Sequence, residues 1–159
     1  MRAEARSPLF PPGPDSRDNG GRSLCMNRTL VVDDSPTMRR MVMASLRDVC
    51  IGGFVEASTG LEAIEQLAVG PAALMVLDLN MPDMHGIEVL RFVRGHAAFR
   101  HLPVIVLTTR GDEASRGAAI AAGASRYLTK PFVPTVLAGE ARGLIEAAEI
   151  ADGSAPHGR

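Results

Sequence analysis

The residues that could form a reactive site lie in four short polar stretches. These are Asp33-Asp34, Asp78 with Asn80, Thr108-Thr109, and Lys130. Each stretch follows a run of mainly apolar residues, which is typical of polar groups at the ends of buried strands. Lys130 is the only lysine beside sixteen arginines. This is either chance or a sign of a position that accepts a compact ammonium but not a wide, planar guanidinium.

Grouped together, these side chains would suit phosphoryl transfer. Three neighbouring carboxylates repel by roughly 4 kcal/mol per close pair at an effective dielectric constant of 20. One ammonium cannot neutralise three anions, so the cluster would bind a cation or hold a proton. Oxygen ligands without nearby cysteine or histidine favour Mg²⁺ over zinc. With Mg²⁺ and Lys130 supplying positive charge, an aspartate could attack a phosphoryl group and form an acyl phosphate.

Five strand–helix pairs are predicted to position these residues. The predicted strands are 29–32, 54–57, 74–77, 103–107 and 126–129, and the helices are 36–48, 61–68, 87–94, 112–122 and 135–150. This alternation predicts an α/β fold, a (βα)₅ parallel sheet covered on both faces. Ligands bind such sheets beyond the carboxyl ends of the strands, where all four stretches would lie. At helical spacing, one face of the first helix is predicted to contain Met38, Met41, Val42, Ser45, Leu46 and Val49.

Composition excludes several other classes of protein. The net charge of −1 offers no basic surface for nucleic acid, and no apolar run approaches the roughly 20 residues of a membrane span. Cys25 and Cys50 have no metal-ligand or disulfide spacing, which favours a reducing, cytoplasmic compartment. Residues 1–25, with four prolines, are predicted to be a disordered tail, 26–150 one domain, and 151–159 a short C-terminal tail. Because the folded pattern begins at Met26, we hypothesise that translation starts there.

Together the motifs resemble the receiver domain of two-component signalling, of the stand-alone CheY-like chemotaxis type. They are Val31-Val32-Asp33-Asp34-Ser35, Asp78-Leu79-Asn80-Met81-Pro82 with Gly86, Leu107-Thr108-Thr109, and Lys130-Pro131-Phe132. The resemblance covers roughly residues 28–150. It implies a flavodoxin-like, doubly wound sheet with strand order 2-1-3-4-5, and a cis peptide bond between Lys130 and Pro131.

The resemblance also implies a role for each site residue. Asp78 would accept the phosphoryl group, Lys130 would pair with it, and Thr108 would donate its hydroxyl to it. Mg²⁺ would be held by Asp34, Asp78 and the backbone carbonyl of Asn80, with Asp33 acting through a water. Tyr127 would be a switch residue whose ring moves inward when Thr108 shifts. The sequence departs from the family pattern at Thr109, where a smaller residue is more usual, and at His85, where Asp is common.

The expected function is therefore phosphorylation-controlled binding rather than conventional enzymology. A sensor histidine kinase would supply the phosphoryl group, and the face formed by the helix at 112–122, the last strand and the last helix would bind a partner. A flagellar switch or another signalling protein is the expected target, with no nucleic acid and no membrane. The alternative is a phosphate sink or phosphorelay shuttle. A true phosphatase of the haloacid-dehalogenase-like type would need a second Asp where Asn80 stands.

Overall fold

The structure is a computed structural model that describes residues 27–50 and 52–151. The predicted tail 1–25, Met26 and residues 152–159 lie outside the described residues. Five strands alternate with five helices in the part of the chain that is described. In chain order these are β1 (Arg28–Val32), α1 (Pro36–Leu46), β2 (Phe54–Ala57), α2 (Gly60–Val69), β3 (Ala72–Leu77), α3 (Gly86–Gly95), β4 (Val104–Thr108), α4 (Glu113–Ala122), β5 (Arg126–Thr129) and α5 (Pro134–Ala151).

The strands form one parallel sheet in the order β2-β1-β3-β4-β5. Val32 at the end of β1 pairs with Ala57 of β2 and with Leu77 of β3. On the other side of β3, Val76 pairs with Ile105 of β4, and Thr108 pairs with Thr129 of β5. The predicted α/β class, the five strand–helix pairs and the 2-1-3-4-5 order are confirmed.

Both faces of the sheet are covered by apolar side chains. Leu30 and Val32 of β1 point into a core that is shared with α2, α3 and α4. Val31 points into a second core on the opposite face, shared with α1 and α5. Because alternate residues of a strand face opposite sides, a strand buried on both sides needs a continuous apolar run. This explains why the central strands do not show the alternation of an exposed sheet.

Several predicted boundaries differ from the observed ones by one or two residues. Helix α1 begins as predicted, with the Ser35 hydroxyl accepting from the Met38 N–H at 3.3 Å, but it ends at Leu46 instead of residue 48. Burial along the predicted face of α1 is uneven, since Met41 is 47% exposed. The helix buries Val42 and Leu46 one turn apart, and Met41 is rotated about 100° from Val42.

No helix within the described ranges is long and apolar enough to cross a membrane.

Candidate functional site

The hydrogen-bond ladder of the sheet continues past the strand ends and aligns the polar residues there. The Asp33 N–H donates to the Ala57 carbonyl at 3.1 Å, and the Asp78 N–H donates to the Val32 carbonyl at 3.0 Å. The Lys130 N–H donates to the Thr108 carbonyl at 2.8 Å. The residues that follow β1, β3 and β5, and the last residue of β4, are therefore held at one edge of the sheet.

Three aspartates converge at this edge. One carboxylate oxygen each from Asp33, Asp34 and Asp78 lies within 4.8 Å of the other two. Asp33 and Asp78 are buried, whereas Asp34 is exposed. The Ser35 N–H donates to Asp33 Oδ1 at 2.9 Å, which fixes that carboxylate in the turn that leads into α1. Two buried anions and one exposed anion thus form a compact set of hard oxygen ligands, the donor type that Mg²⁺ prefers.

Lys130 lies between the two buried carboxylates. Its Nζ is 2.6 Å from Asp33 Oδ2 and 3.5 Å from Asp78 Oδ2, and its side chain is only 10% exposed. The peptide bond between Lys130 and Pro131 is cis, as the resemblance implied. Among the described residues, Lys130 is the one cation paired with these carboxylates, so three carboxylates face one ammonium.

The surroundings of Asp78 shift the pKa of its carboxyl group. Burial raises the pKa of this carboxyl group above its usual value of 3.8, and the nearby Asp33 carboxylate raises it further. The backbone N–H of Asn80, which donates to Asp78 Oδ1 at 3.2 Å, and the Lys130 ammonium lower the pKa without reversing the shift. The ionised form of Asp78 is under-stabilised, and an added cation would stabilise it.

Thr108 and Asn80 form the polar wall next to Asp78. The fully buried Thr108 hydroxyl accepts from Asn80 Nδ2 and from the Arg110 N–H, each at 3.4 Å. Both contacts use the oxygen as acceptor, so the hydroxyl hydrogen can donate to another group. Thr109 is exposed beside it.

A profile of the response regulator receiver domain family matches residues 29–142 of this chain. The chain belongs to the response regulator receiver family. It is 40% identical over 111 residues to the chemotaxis protein CheY1 of Helicobacter pylori, a match that covers 69% of this chain and 90% of that protein. It is 38% identical over 111 residues to a CheY homolog of Campylobacter jejuni, covering 69% of this chain and 85% of the relative.

Solved receiver structures share the architecture. The chemotaxis response regulator CheY4 of Vibrio cholerae superposes with a TM-score of 0.68 at 32% identity, covering 75% of this chain and 98% of that one. A BeF₃-activated receiver domain, DrrB, superposes with a TM-score of 0.69 at 29% identity, covering 76% of this chain and 98% of that one. The receiver fold expected from the resemblance is therefore confirmed.

The predicted switch residue Tyr127 is buried in this receiver. The residue is 7% exposed, its hydroxyl donates to the Arg110 carbonyl, and the Arg116 guanidinium carbon lies 5.9 Å from the ring centroid. Arg110 therefore joins the buried Thr108 hydroxyl, through its N–H, to the Tyr127 hydroxyl, through its carbonyl. His85 directly precedes the buried Gly86 and is the N-cap of α3, with Nδ1 accepting from the Ile87 N–H at 3.2 Å.

Sequence reasoning missed one support of the receiver site. Arg39 Nη1 donates to the backbone carbonyl of Asp33 at 2.6 Å, and Arg39 Nε is paired with Glu56 at 2.9 Å. The guanidinium thus links α1 to the turn after β1 and to the neighbouring strand β2. Its position one helical turn beyond Ser35 was a possible signal, but the partner in β2 depends on strand pairing that no local pattern specifies.

Proposed function

We propose that this protein is a phosphoryl-accepting response regulator in which Asp78 receives a phosphoryl group from a sensor histidine kinase. The observation that carries the proposal is the meeting of a buried strand-end carboxylate with two further carboxylates and the only lysine of the chain. Its chemistry would be limited to its own phosphorylation and dephosphorylation, as befits a signalling protein rather than a conventional enzyme.

The donor set fits Mg²⁺. Asp33, Asp34 and Asp78 supply carboxylate oxygens within 4.8 Å of one another. Burial and the neighbouring Asp33 carboxylate raise the pKa of Asp78 despite the nearby Lys130, so an added cation would stabilise its ionised form. The backbone carbonyl of Asn80 would complete the protein ligands, with Asp33 acting through a water. When bound, Mg²⁺ would supply charge compensation for a phosphoryl group among carboxylates.

In the transfer step, a carboxylate oxygen of Asp78 attacks phosphorus and forms a new P–O bond. The P–N bond to the kinase histidine breaks, and its electron pair returns to the imidazole. Lys130, which lies 3.5 Å from Asp78 Oδ2, moves its ammonium to the phosphoryl oxygens and balances the added charge. The Thr108 hydroxyl donates to the same group. These residues act mainly by positioning and charge stabilisation, which is the usual contribution of a protein to phosphoryl transfer.

The output would be phosphorylation-controlled binding at the face formed by α4, β5 and α5. Movement of Thr108 toward the phosphoryl group would reach Tyr127 through Arg110, which contacts both side chains. This face has exposed apolar side chains, Ile120 on α4 and Val136 on α5. Because relatives are named as chemotaxis proteins, we place the output in chemotaxis or motility, with the flagellar switch or another signalling protein as the target.

The first experiment is intact mass measurement after incubation with a small acyl phosphate donor, with and without Mg²⁺. The wild-type protein should gain one phosphoryl group that depends on Mg²⁺, and Asp78→Asn should gain none. Asp48→Asn removes an exposed carboxylate from the loop after α1 and serves as the matched control, which should be phosphorylated like wild type. Modification of Asp78→Asn, or modification that is independent of Mg²⁺, would contradict the proposed site.

A pull-down with phosphorylated and unphosphorylated protein tests the output. A partner retained only by the phosphorylated form supports controlled binding. A protein that exchanges phosphoryl groups with kinases but retains no such partner would instead be a sink or relay.

A further inference from the structure

Asp83 connects the loop after the phosphoacceptor to the start of α2. Its Oδ1 accepts from the Gly60 N–H at 3.1 Å, and its Oδ2 accepts from the Leu61 N–H at 3.2 Å. The two ends of these bonds are 23 and 22 residues apart in the chain. Helix α2 also has a local cap, since Thr59 Oγ1 accepts from the Glu62 N–H at 3.1 Å. Two different residues thus satisfy the N–H groups of the same first turn, one local and one from across the sheet edge.

The same loop packs closely on α2 beside these hydrogen bonds. A side chain at Gly60 would place its Cβ 2.9 Å from Met84 Cβ, closer than two such atoms can approach. The absence of a side chain at Gly60 therefore allows the backbone of α2 to lie against Met84. This close contact and the two Asp83 bonds hold the same short stretch, residues 83–84, to one helix end.

The loop that runs from Asp78 to Gly86 is fixed at three places. At its start the Asp78 N–H joins the sheet ladder, and at its end the Gly86 N–H donates to the Leu79 carbonyl at 2.9 Å. Between these, Asp83 fixes its outer part to α2. Asn80 lies between Asp78 and Asp83 in the chain. Its backbone N–H donates to Asp78, and its side-chain amide contacts Thr108.

Asp83 is itself exposed and is not part of the carboxylate cluster. Desolvation raises the pKa of Asp83, but the backbone N–H groups of Gly60, Leu61, Asp83 and Met84 together lower it on balance. The group is therefore ionised at neutral pH, and an anion at a helix N-terminus is also favoured by the helix dipole. The two hydrogen bonds from α2 to the Asp83 carboxylate therefore persist at neutral pH.

We propose that Asp83 is a positioning residue that holds Asn80 and Asp78 ready for Mg²⁺ by anchoring their loop to the N-terminus of α2. The inference rests on the proposed function, because it concerns the same metal site. Asp83 does not touch the metal; it restricts the loop from which two of the ligands come. Residues outside the ligand set that orient the ligands commonly change metal affinity by about 10- to 100-fold when removed.

Three variants separate this role from simple helix capping. Asp83→Ala removes both cross-loop bonds, and Asp83→Asn keeps one side-chain oxygen that can accept from Gly60 or Leu61. Thr59→Ala is the matched control, because it removes a cap from the same helix turn without touching the loop. Thermal unfolding of each variant first establishes that the folded fraction is the same.

Two measurements are made on ¹⁵N-labelled protein, which suits a chain with no tryptophan. Relaxation of the Asn80 backbone amide in the absence of metal reports loop order, and a titration with Mg²⁺ alone, followed at the same amide, gives the dissociation constant. We expect Asp83→Ala to increase Asn80 mobility and to weaken Mg²⁺ binding on the order of tenfold. Asp83→Asn should restore most of the affinity, and Thr59→Ala should bind Mg²⁺ like wild type.

The outcomes separate the two proposals. Wild-type affinity in Asp83→Ala, or equal weakening in Thr59→Ala, overturns the positioning role while leaving the phosphoacceptor proposal intact. If the wild-type protein binds no Mg²⁺, the proposed metal chemistry fails, and the part of the Asp83 proposal that concerns Mg²⁺ affinity fails with it. The anchoring part is then judged by Asn80 mobility alone: an increase confined to Asp83→Ala supports the anchor, and no increase overturns it.

Discussion

The Asp78 carboxylate is held in a state that favours added positive charge. Burial and the Asp33 carboxylate raise its pKa, and only the Asn80 N–H and Lys130 act in the other direction. Lys130 is closer to Asp33, at 2.6 Å, than to Asp78, at 3.5 Å. The residue expected to react is therefore the less well compensated of the two buried carboxylates, and charge substitutions here should change both stability and chemistry.

Asp78→Asn is expected to stabilise the Mg²⁺-free protein at neutral pH. Because the pKa of Asp78 is higher in the folded state than its usual 3.8, the folded protein binds more protons between these two values. The free energy of unfolding contributed by this group therefore falls as pH rises through that window. The variant escapes this loss and should therefore unfold at a higher temperature than wild type at neutral pH.

Thermal unfolding from acid to neutral pH checks this prediction, with Asp48→Asn as the control for removing an exposed charge. Added Mg²⁺ should raise the unfolding temperature of wild type but not of Asp78→Asn, because a ligand stabilises only the state that binds it. If the unfolding temperatures of wild type and Asp78→Asn differ by the same amount at every pH, the prediction of a raised Asp78 pKa in the folded state is wrong.

Lys130→Met is expected to destabilise the protein and abolish phosphorylation. The pair with Asp33 is buried, with side chains 10% and 6% exposed, and removal of one partner of a buried ion pair costs about 3 kcal/mol. Lys130→Arg should stay folded but be phosphorylated far more slowly, because a planar guanidinium does not fit between two oxygens of different carboxylates as an ammonium does. Chemical denaturation and the intact-mass assay measure the two effects.

The control for this series is Arg126→Met. Arg126 and Glu140 form an ion pair at 2.7 Å with side chains 48% and 38% exposed, so its loss should cost less than about 1 kcal/mol. Equal destabilisation by the two methionine variants would be incompatible with a special role for the buried pair.

Helix α4 buries fewer residues than any other helix in the described part of the chain. Ala119 is its one buried residue, and small side chains bury little area. Its C-terminal end is held from α3, where Arg94 Nε donates to the Gly123 carbonyl at 2.9 Å. Its N-terminal end follows Arg110, which contacts both Thr108 and Tyr127. A helix held at its ends and weakly packed in its middle can shift at low energetic cost.

Two glycines of this region should respond in opposite directions to alanine. Gly117 is helical with nothing within 4 Å of an added Cβ, so Gly117→Ala should stabilise the protein by about 0.5–1 kcal/mol. Gly123 has φ +111°, and an added Cβ would lie 2.5 Å from Arg94 Cγ, so Gly123→Ala should destabilise it by more than that. Chemical denaturation compares the two, and stabilisation by Gly123→Ala would refute the account of the α4 C-terminus.

At the scale of the whole molecule, the sheet gathers residues that are far apart in the chain. Strands β1, β3, β4 and β5 each contribute to one edge, while two apolar cores on opposite faces hold the strands in place. The site and the α4–β5–α5 face share β5, which is paired with β4, whereas β2 lies at the opposite side of the sheet. A change at Asp78 therefore has a short route to one face of the molecule.

Phosphorylation should change backbone amide chemical shifts most in α4, β5 and the first half of α5, beyond the changes at the site itself. The physical reason is the contact of Arg110 with both Thr108 and Tyr127. Spectra of ¹⁵N-labelled protein with Mg²⁺ alone and with Mg²⁺ plus an acyl phosphate donor separate the effect of metal from that of the phosphoryl group. Phosphoryl-dependent changes restricted to α1 and α2 would contradict this route.

Much of the fold follows from local patterns. Apolar runs and helix caps such as Ser35 predicted all five strand–helix pairs, because burial on both faces requires continuous apolar strands. The strand order came from the motif resemblance, not from periodicity. Helix and strand ends were off by one or two residues, and helical spacing did not indicate that Met41 is exposed, because pairing and packing with distant elements decide these details.

The sequence by itself determined which residues meet at the site, since residues that follow parallel strands must share one edge of the sheet. Only the tertiary structure decided how they meet: that Lys130 lies nearer to Asp33 than to Asp78, that Tyr127 is buried, and that Asp83 bonds to α2. These contacts join side chains that are distant in the chain, and their distances depend on the packing of every element between them. The spacing of residues along the chain does not fix these side-chain distances, because the packing of the whole core determines them.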